Sequence, residues 1–228
     1  HGGPHVVADD EFAHPRVVEH RARRAVGQDL AVVEGDHPCH VAHDDVHVML
    51  DEEHGHRVLP HGGDIINDIS ALPDARNAAL CAQYGAALLI MHSVGQPKVP
   101  HTHVGYADIM QTLETFFEEK LAICSKVGLS TDQIVLDPGI DFAKQCEDNL
   151  TIYRDLHRLG RFGRPVLLPV SRKTVIGKVL EQPDPLDRDP GTLACIEAGM
   201  ARGAHIFRVH NVRAAALAVK ALWKLHSV

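Results

Sequence analysis

Polar residues that a buried strand should exclude recur at one place in each apolar run of this chain, the C-terminal end. Asn67 and Asp68 close "DIINDI" (64–69), His92 follows "ALLIM" (87–91), and Asp137 closes "QIVLD" (133–137). Ser171, Arg172 and Lys173 follow "PVLLPV" (165–170), and Arg208 and His210 flank the end of "HIFRV" (205–209). Carboxylate and amide oxygens accept hydrogen bonds while Lys, Arg and His donate them, so the set offers acceptors and anion-binding donors together. Each residue alone has an ordinary reading. Asn67 can cap a turn, Asp137 before Pro138-Gly139 is a common turn opening, Arg172 and Lys173 can be solvated loop cations, and both histidines can be satisfied by backbone carbonyls. Coincidence over five consecutive runs favours a ligand site.

The elements that must hold these residues follow from periodicity. Short apolar runs bounded by Gly, Pro and Asp alternate with longer amphipathic stretches, the pattern of repeated βα units and a parallel sheet. Helices are expected over 74–84, 107–127, 147–160, 191–203 and 212–226, with a short one from 174. In the last, Val212, Ala216, Val219 and Trp223 form a stripe expected to pack on the sheet, with the Trp in the core. In parallel α/β folds the strand C-termini are where loops converge on ligands. Five βα units are countable, a closed barrel needs three more, and the 63 leading residues are too few to supply them.

With 228 residues, 45% hydrophobic and 23% charged, the chain suits one globular core. A net charge of −7 gives no reason to expect nucleic acid or an anionic membrane as partner, so an anion site must be a local cluster of cations. Five dispersed cysteines (Cys39, Cys81, Cys124, Cys146, Cys195) without C-x-x-C suit reduced thiols, and no long apolar span or signal segment is visible, so a soluble cytoplasmic protein is expected.

Residues 1–63 are compositionally unlike the rest. They hold 11 of the 18 histidines and no Ser, Thr, Asn, Lys, Ile, Tyr or Trp, whereas all eight lysines lie beyond Asp64. His37, Cys39, His40, His43, Asp44, His47, His54 and His56 offer many donors to a metal, yet no spacing repeats C-x-x-C or H-E-x-x-H, so no metal ligands are assigned. A surface segment enriched in His by drift is a second reading. The abrupt break favours a third: a stretch read in a non-native frame, or a junction, poorly ordered and joined to a genuine domain spanning 64–228.

Within that domain "INDISAL" (66–72), "LIMHSVGQP" (89–97), "LDPGIDFAK" (136–144), "VSRKTVIG" (170–177) and "GTLACIEAGMARGAHIFRVHNV" (191–212) resemble, in order and spacing, the fourth to eighth strands of the dihydropteroate synthase family. The resemblance implies a pterin-binding (β/α)8 TIM barrel, here incomplete. It also implies a transferase of folate biosynthesis that joins 6-hydroxymethyl-7,8-dihydropterin diphosphate to 4-aminobenzoate and releases diphosphate. By the same resemblance Asn67, Asp137 and Lys173 would bind the pterin, with Ile69, Met91 and Phe142 as apolar walls. Arg208 and His210 would bind the diphosphate and, with Lys173, serve catalysis. Ser171 would hold the aminobenzoate carboxylate, with Arg172 lining that side. Mg²⁺ would arrive on the substrate diphosphate, and a homodimer through the late helices is expected.

Departures from the family pattern shape the alternatives. Asp141 and Ala143 stand where small glycines are common, and residues 1–63 show no "NVTPDSF" strand end, no "STRP" loop and no "SVDT" strand with a second pterin-binding carboxylate. Five parallel strands cannot close, so two sheet edges would lack cover. The alternative reading is therefore a catalytically impaired pterin-binding remnant. A pterin-dependent methyltransferase domain of related fold is a third, disfavoured by the "SRK" and "RVH" blocks.

Overall fold

The computed structural model describes residues 41–42, 46–49, 64–95 and 104–226. Its strands are β1 (Val41–Ala42), β2 (Val46–Met49), β3 (Ile65–Asp68), β4 (Ala87–Met91), β5 (Ile134–Asp137), β6 (Leu167–Pro169) and β7 (Ile206–Arg208). Its α-helices are α1 (Arg76–Tyr84), α2 (Ile109–Lys126), α3 (Cys146–Asp155), α4 (Thr174–Leu180), α5 (Asp189–Ala201) and α6 (Val212–His226). β1 pairs antiparallel with β2, and β2 through β5 then pair parallel in chain order. A parallel bridge between Leu136 and Val166 carries the sheet on towards β6, which pairs parallel with β7. Parallel strands laid side by side in chain order, with helices between them from β3 on, form the wall of a (β/α)8 barrel.

Ala87–Met91 appears with its expected bounds, and the other four expected strands appear with ends trimmed by a residue or two. Two corrections arise. β1 and β2 lie inside the histidine-rich leading segment, for which no strand was expected, and β2 pairs in parallel register with β3 (Val48 with Ile65, Met49 with Ile66). The helix expected over 147–160 ends as an α-helix at Asp155 and continues as tight 3₁₀ turns from Leu156 to Phe162, closed by Gly163 at φ 59°. Of the remainder of the leading segment, including most of its metal-ligand candidates, the structure describes nothing, and the domain boundary read at Asp64 remains one of composition.

Strand side chains alternate between two faces, and the alternation separates two cores. Ile66, Leu88, Ile90, Ile134, Leu136, Leu168 and Phe207 face the helices and join the larger cluster, with Met110, Leu113 and Phe117 of α2. Ile65, Ala87, Leu89, Met91, Val135, Leu167 and Ile206 form a smaller cluster on the inner face. Asn67, Asp137 and Arg208 each stand two residues beyond an inner-face residue, so the pleat carries them to the same inner face at its C-terminal rim.

On α6 the buried stripe runs through Ala215 and Val219, with Val212 and Leu222 partly covered, while Trp223 is 40% exposed. Trp223 is therefore not a core residue. Positions 212, 215, 219 and 222 share one helical face at spacings of three and four, and 223, about 60° from the middle of that stripe, lies at its edge in the last turn of the helix.

Candidate functional site

Two acceptors on the inner rim are buried without partners. Asn67 is 4% exposed and Asp137 wholly buried, and Asn67 Oδ1 and Asp137 Oδ2 have no hydrogen-bond partner among the described residues. The other Asp137 oxygen accepts the Gly139 N–H at 2.7 Å, and the Arg208 guanidinium stands 4.0 Å from Oδ2. Burial pushes the Asp137 carboxyl above its ordinary range; Arg208, the Gly139 N–H and the ammonium groups of Lys173 and Lys144 oppose it. An orphaned buried acceptor costs about 1–3 kcal/mol, which a ligand bringing N–H donors would recover.

Asp68, adjacent in sequence, differs because the pleat turns it to the outer face. Its carboxylate accepts Ser70 N at 2.9 Å, the Ser70 hydroxyl, Leu72 N at 3.3 Å and Asn77 Nδ2 at 3.0 Å. Those bonds hold a turn in which Ala71 and Leu72 take positive φ. Asp68 is spent on folding the loop, and Asn67 is left facing the interior.

Apolar walls flank the acceptors. Met91 is fully buried and registers beside Asp137, and Ile69 and Phe142 pack partly buried against the same cluster. Lys173 Nζ lies 5.0 Å from the centre of the Phe142 ring. The loop bearing Phe142 crosses the end of β4 closely. A Cβ on Gly139, at φ 69°, would stand 2.0 Å from the His92 carbonyl oxygen, so only glycine fits.

Lys144 locks that crossing. Its Nζ meets His92 Nδ1 at 2.9 Å, the Phe142 carbonyl at 2.9 Å and the His92 carbonyl at 3.4 Å, one acceptor for each ammonium N–H. Burial lowers Lys144 to about 7 and, with Lys144 alongside, lowers His92 to about 3, so the imidazole is neutral. Its ring packs edge-on to Phe116 at 4.8 Å.

The cationic side is built by the turn after β6. The Ser171 hydroxyl accepts the His210 backbone N–H at 3.0 Å and meets His210 Nδ1 at 2.6 Å, joining the β6 and β7 loops. Having accepted the N–H, the hydroxyl can donate to Nδ1, which leaves the Nε2 proton of the exposed His210 for an anion. Arg172, expected to line the aminobenzoate side, is engaged from α5. Its guanidinium forms a bidentate pair with Asp189 at 2.7 and 3.2 Å, and Asn211 binds the same carboxylate at 3.0 Å. The Arg172 hydrogen bond, foremost, holds Asp189 below the usual carboxylate range.

Asp141 and Ala143 take φ of 68° and 51°, which is why glycine suits both positions. Asp141 offsets the strain: its carboxylate accepts the N–H groups of Thr174 and Val175, capping α4 from another loop. Sequence reasoning missed this role, along with Arg188, Asp189 and Thr192 at the start of α5. Asp189-Pro190 has the composition of a helix start, the one signal that marks the region.

Residues 42–210 match the sequence pattern of the family described as "Pterin binding enzyme". The match begins upstream of the compositional break and includes β2, whose sequence VHVM contains no Asp. The dihydropteroate synthase of Synechocystis is 39% identical over 187 residues, covering 79% of this chain and 65% of its own length. That of Escherichia coli K12 is 34% identical over 152 residues, covering 67% and 54%. The chain thus spans about half to two thirds of these relatives. The crystal structure of Thermus thermophilus dihydropteroate synthase with 4-aminobenzoate superposes with a TM-score of 0.73 at 33% identity, covering 78% of this chain and 73% of that one.

Proposed function

This chain belongs to the pterin binding enzyme family, and from that premise we propose that it acts as a dihydropteroate synthase, joining 6-hydroxymethyl-7,8-dihydropterin diphosphate to 4-aminobenzoate. The observation that carries the reading is the pair of orphaned acceptors, Asn67 Oδ1 and Asp137 Oδ2, on the inner rim beside Met91 and Phe142. A pterin edge brings an amino group and ring N–H donors, which suit those two oxygens. The Lys173 ammonium, 5.0 Å from the centre of the Phe142 ring, would donate to the pterin carbonyl and ring nitrogen.

The chemistry needs positive charge where the leaving diphosphate gathers negative charge, and preorganised donors in a partly dry site supply that stabilisation. Arg208 and His210 fill this role. As the C–O bond breaks, its electron pair leaves with the diphosphate; the aminobenzoate nitrogen then attacks the exposed methylene carbon and gives up a proton. Ser171 would hold the aminobenzoate carboxylate by turning its hydroxyl proton from His210 Nδ1 to that group, while Arg172, paired with Asp189, steadies the turn. The described residues contain no group of three His, Cys, Asp or Glu able to hold a metal ion, and Arg208 and His210 suit an anion. Mg²⁺ would arrive on the diphosphate substrate, where it would spread the leaving group's charge.

A homodimer through the exposed face of α6, where Leu217 and Trp223 are uncovered, belongs to the same proposal; sedimentation as a monomer would remove it. The main test is diphosphate release from folded protein. Release that depends on 4-aminobenzoate is expected. Pterin binding without release would leave the binding-only reading, and no pterin binding would overturn both.

A further inference from the structure

The turn Ser171-Arg172-Lys173 is held in an unfavourable shape. Arg172 takes φ of 53°, a left-handed conformation that costs an arginine about 1–2 kcal/mol. Three residues at the start of α5 hold it from three sides. The Thr192 hydroxyl accepts the Arg172 N–H at 3.0 Å, Asp189 takes the guanidinium, and Arg188 takes the carbonyl at 3.1 Å.

Arg188 does more than this one contact. Its guanidinium donates to four backbone carbonyls: Arg172 at 3.1 Å, Lys173 at 3.5 Å, Gln182 at 3.0 Å and Pro183 at 2.6 Å. It reaches them because Gly177 of α4 lacks a side chain. A Cβ there would stand 2.5 Å from the guanidinium carbon, so the planar group lies on helix backbone. Both flanks of α4, the turn that enters it and the loop that leaves it, are thereby fastened to one side chain. Planarity and five fixed N–H donors make arginine, not lysine, the residue for this task.

We infer that Arg188 is a positioning residue that acts through the Arg172 and Lys173 carbonyls to fix the Lys173 ammonium over the Phe142 ring. The inference rests on the proposed pterin site, with Gly177 as the seat that admits the guanidinium. Lysine at 188 keeps the charge but cannot span four carbonyls. Its loss should let the turn relax towards ordinary φ and carry Lys173 off its station.

A double-mutant cycle on binding of 6-hydroxymethyl-7,8-dihydropterin diphosphate, without aminobenzoate, tests this. Arg188→Lys should weaken binding about tenfold in the presence of Lys173. In a Lys173→Ala background the same change should cost less than twofold. Additive losses would mean that Arg188 acts on the fold at large and would overturn the inference, as would unchanged binding in Arg188→Lys. Amide hydrogen exchange of 167–177 provides a readout independent of any ligand. Exchange should rise there in Arg188→Lys and in Gly177→Ala, while 134–142 stays protected. If the unmodified protein binds no pterin, the functional proposal fails, and the exchange comparison still decides whether Arg188 holds the turn.

Discussion

At the scale of single residues, the most informative group is the Asp137 carboxylate, which has one oxygen satisfied by Gly139 and one left bare. Asn at this position can keep the Gly139 bond but can turn an amide N–H₂ towards ligand donors. Asp137→Asn should therefore weaken pterin diphosphate binding about 100-fold, the loss of two hydrogen bonds to a charged acceptor at about 1.5 kcal/mol each. Stability should change little, because relief of the buried charge offsets the lost attraction to Arg208 at 4.0 Å. Calorimetric titration beside a urea melt checks both halves; unchanged affinity would remove Asp137 from the pterin site. Asn67, Asp137 and Lys173 were legible in the sequence because each is a polar type at the end of an apolar run. The partner of Arg172 was not, since Asp189 lies 17 residues away and only the packing of α5 brings them together.

At the scale of elements, α4 shows how one loop completes another. Its N-cap residue, Lys173, supplies no side-chain cap, and Asp141 supplies one from the loop after β5. Asp141→Ala loses the cap and keeps a β-carbon at positive φ, whereas Asp141→Gly loses the cap but relieves the backbone. Denaturant midpoints should place Ala lowest, about 1 kcal/mol below the native protein for the lost cap, with Gly about 1 kcal/mol above Ala for the relieved strain and so close to the native protein. Equal stability of Ala and the native residue would show that the cap contributes nothing. β3 to β7 could be read from the sequence because short apolar runs ended by Gly, Pro or Asp have few other interpretations. β2 could not, because a four-residue strand in a stretch dominated by His, Asp and Glu carries too little pattern. The parallel pairing with β3 comes from the neighbouring edge, which that sequence does not itself reveal.

At the scale of the molecule, the two faces of the barrel wall make different demands on charge. The outer face is sealed by helices, and the inner rim gathers Asp137, Lys144, Lys173 and Arg208 among apolar side chains. His92, just beyond β4, joins the two regions, with its ring against Phe116 and Tyr106 and its Nδ1 on Lys144. Its imidazole is lowered from 6.5 to about 3, chiefly by burial. Between those values the unfolded chain takes up a proton that the folded one refuses, so the stability from neutral His92 is complete above pH 6.5 and is lost as pH falls towards 3. Lys144, lowered from 10.5 to about 7, acts in the same sense over its own, more alkaline window. Asp137 acts oppositely, because its raised carboxyl binds a proton more readily when folded. The contribution of His92 can be isolated with His92→Asn, whose side-chain oxygen can replace Nδ1 as acceptor for Lys144 while carrying no titratable proton. Between pH 6.5 and 5 the native protein should lose about 2 kcal/mol more than His92→Asn, a relative Tm shift of several degrees. Parallel Tm profiles for the two proteins would mean that His92 protonates as readily in the fold as in the unfolded chain, and that its ring is not sealed between the two cores.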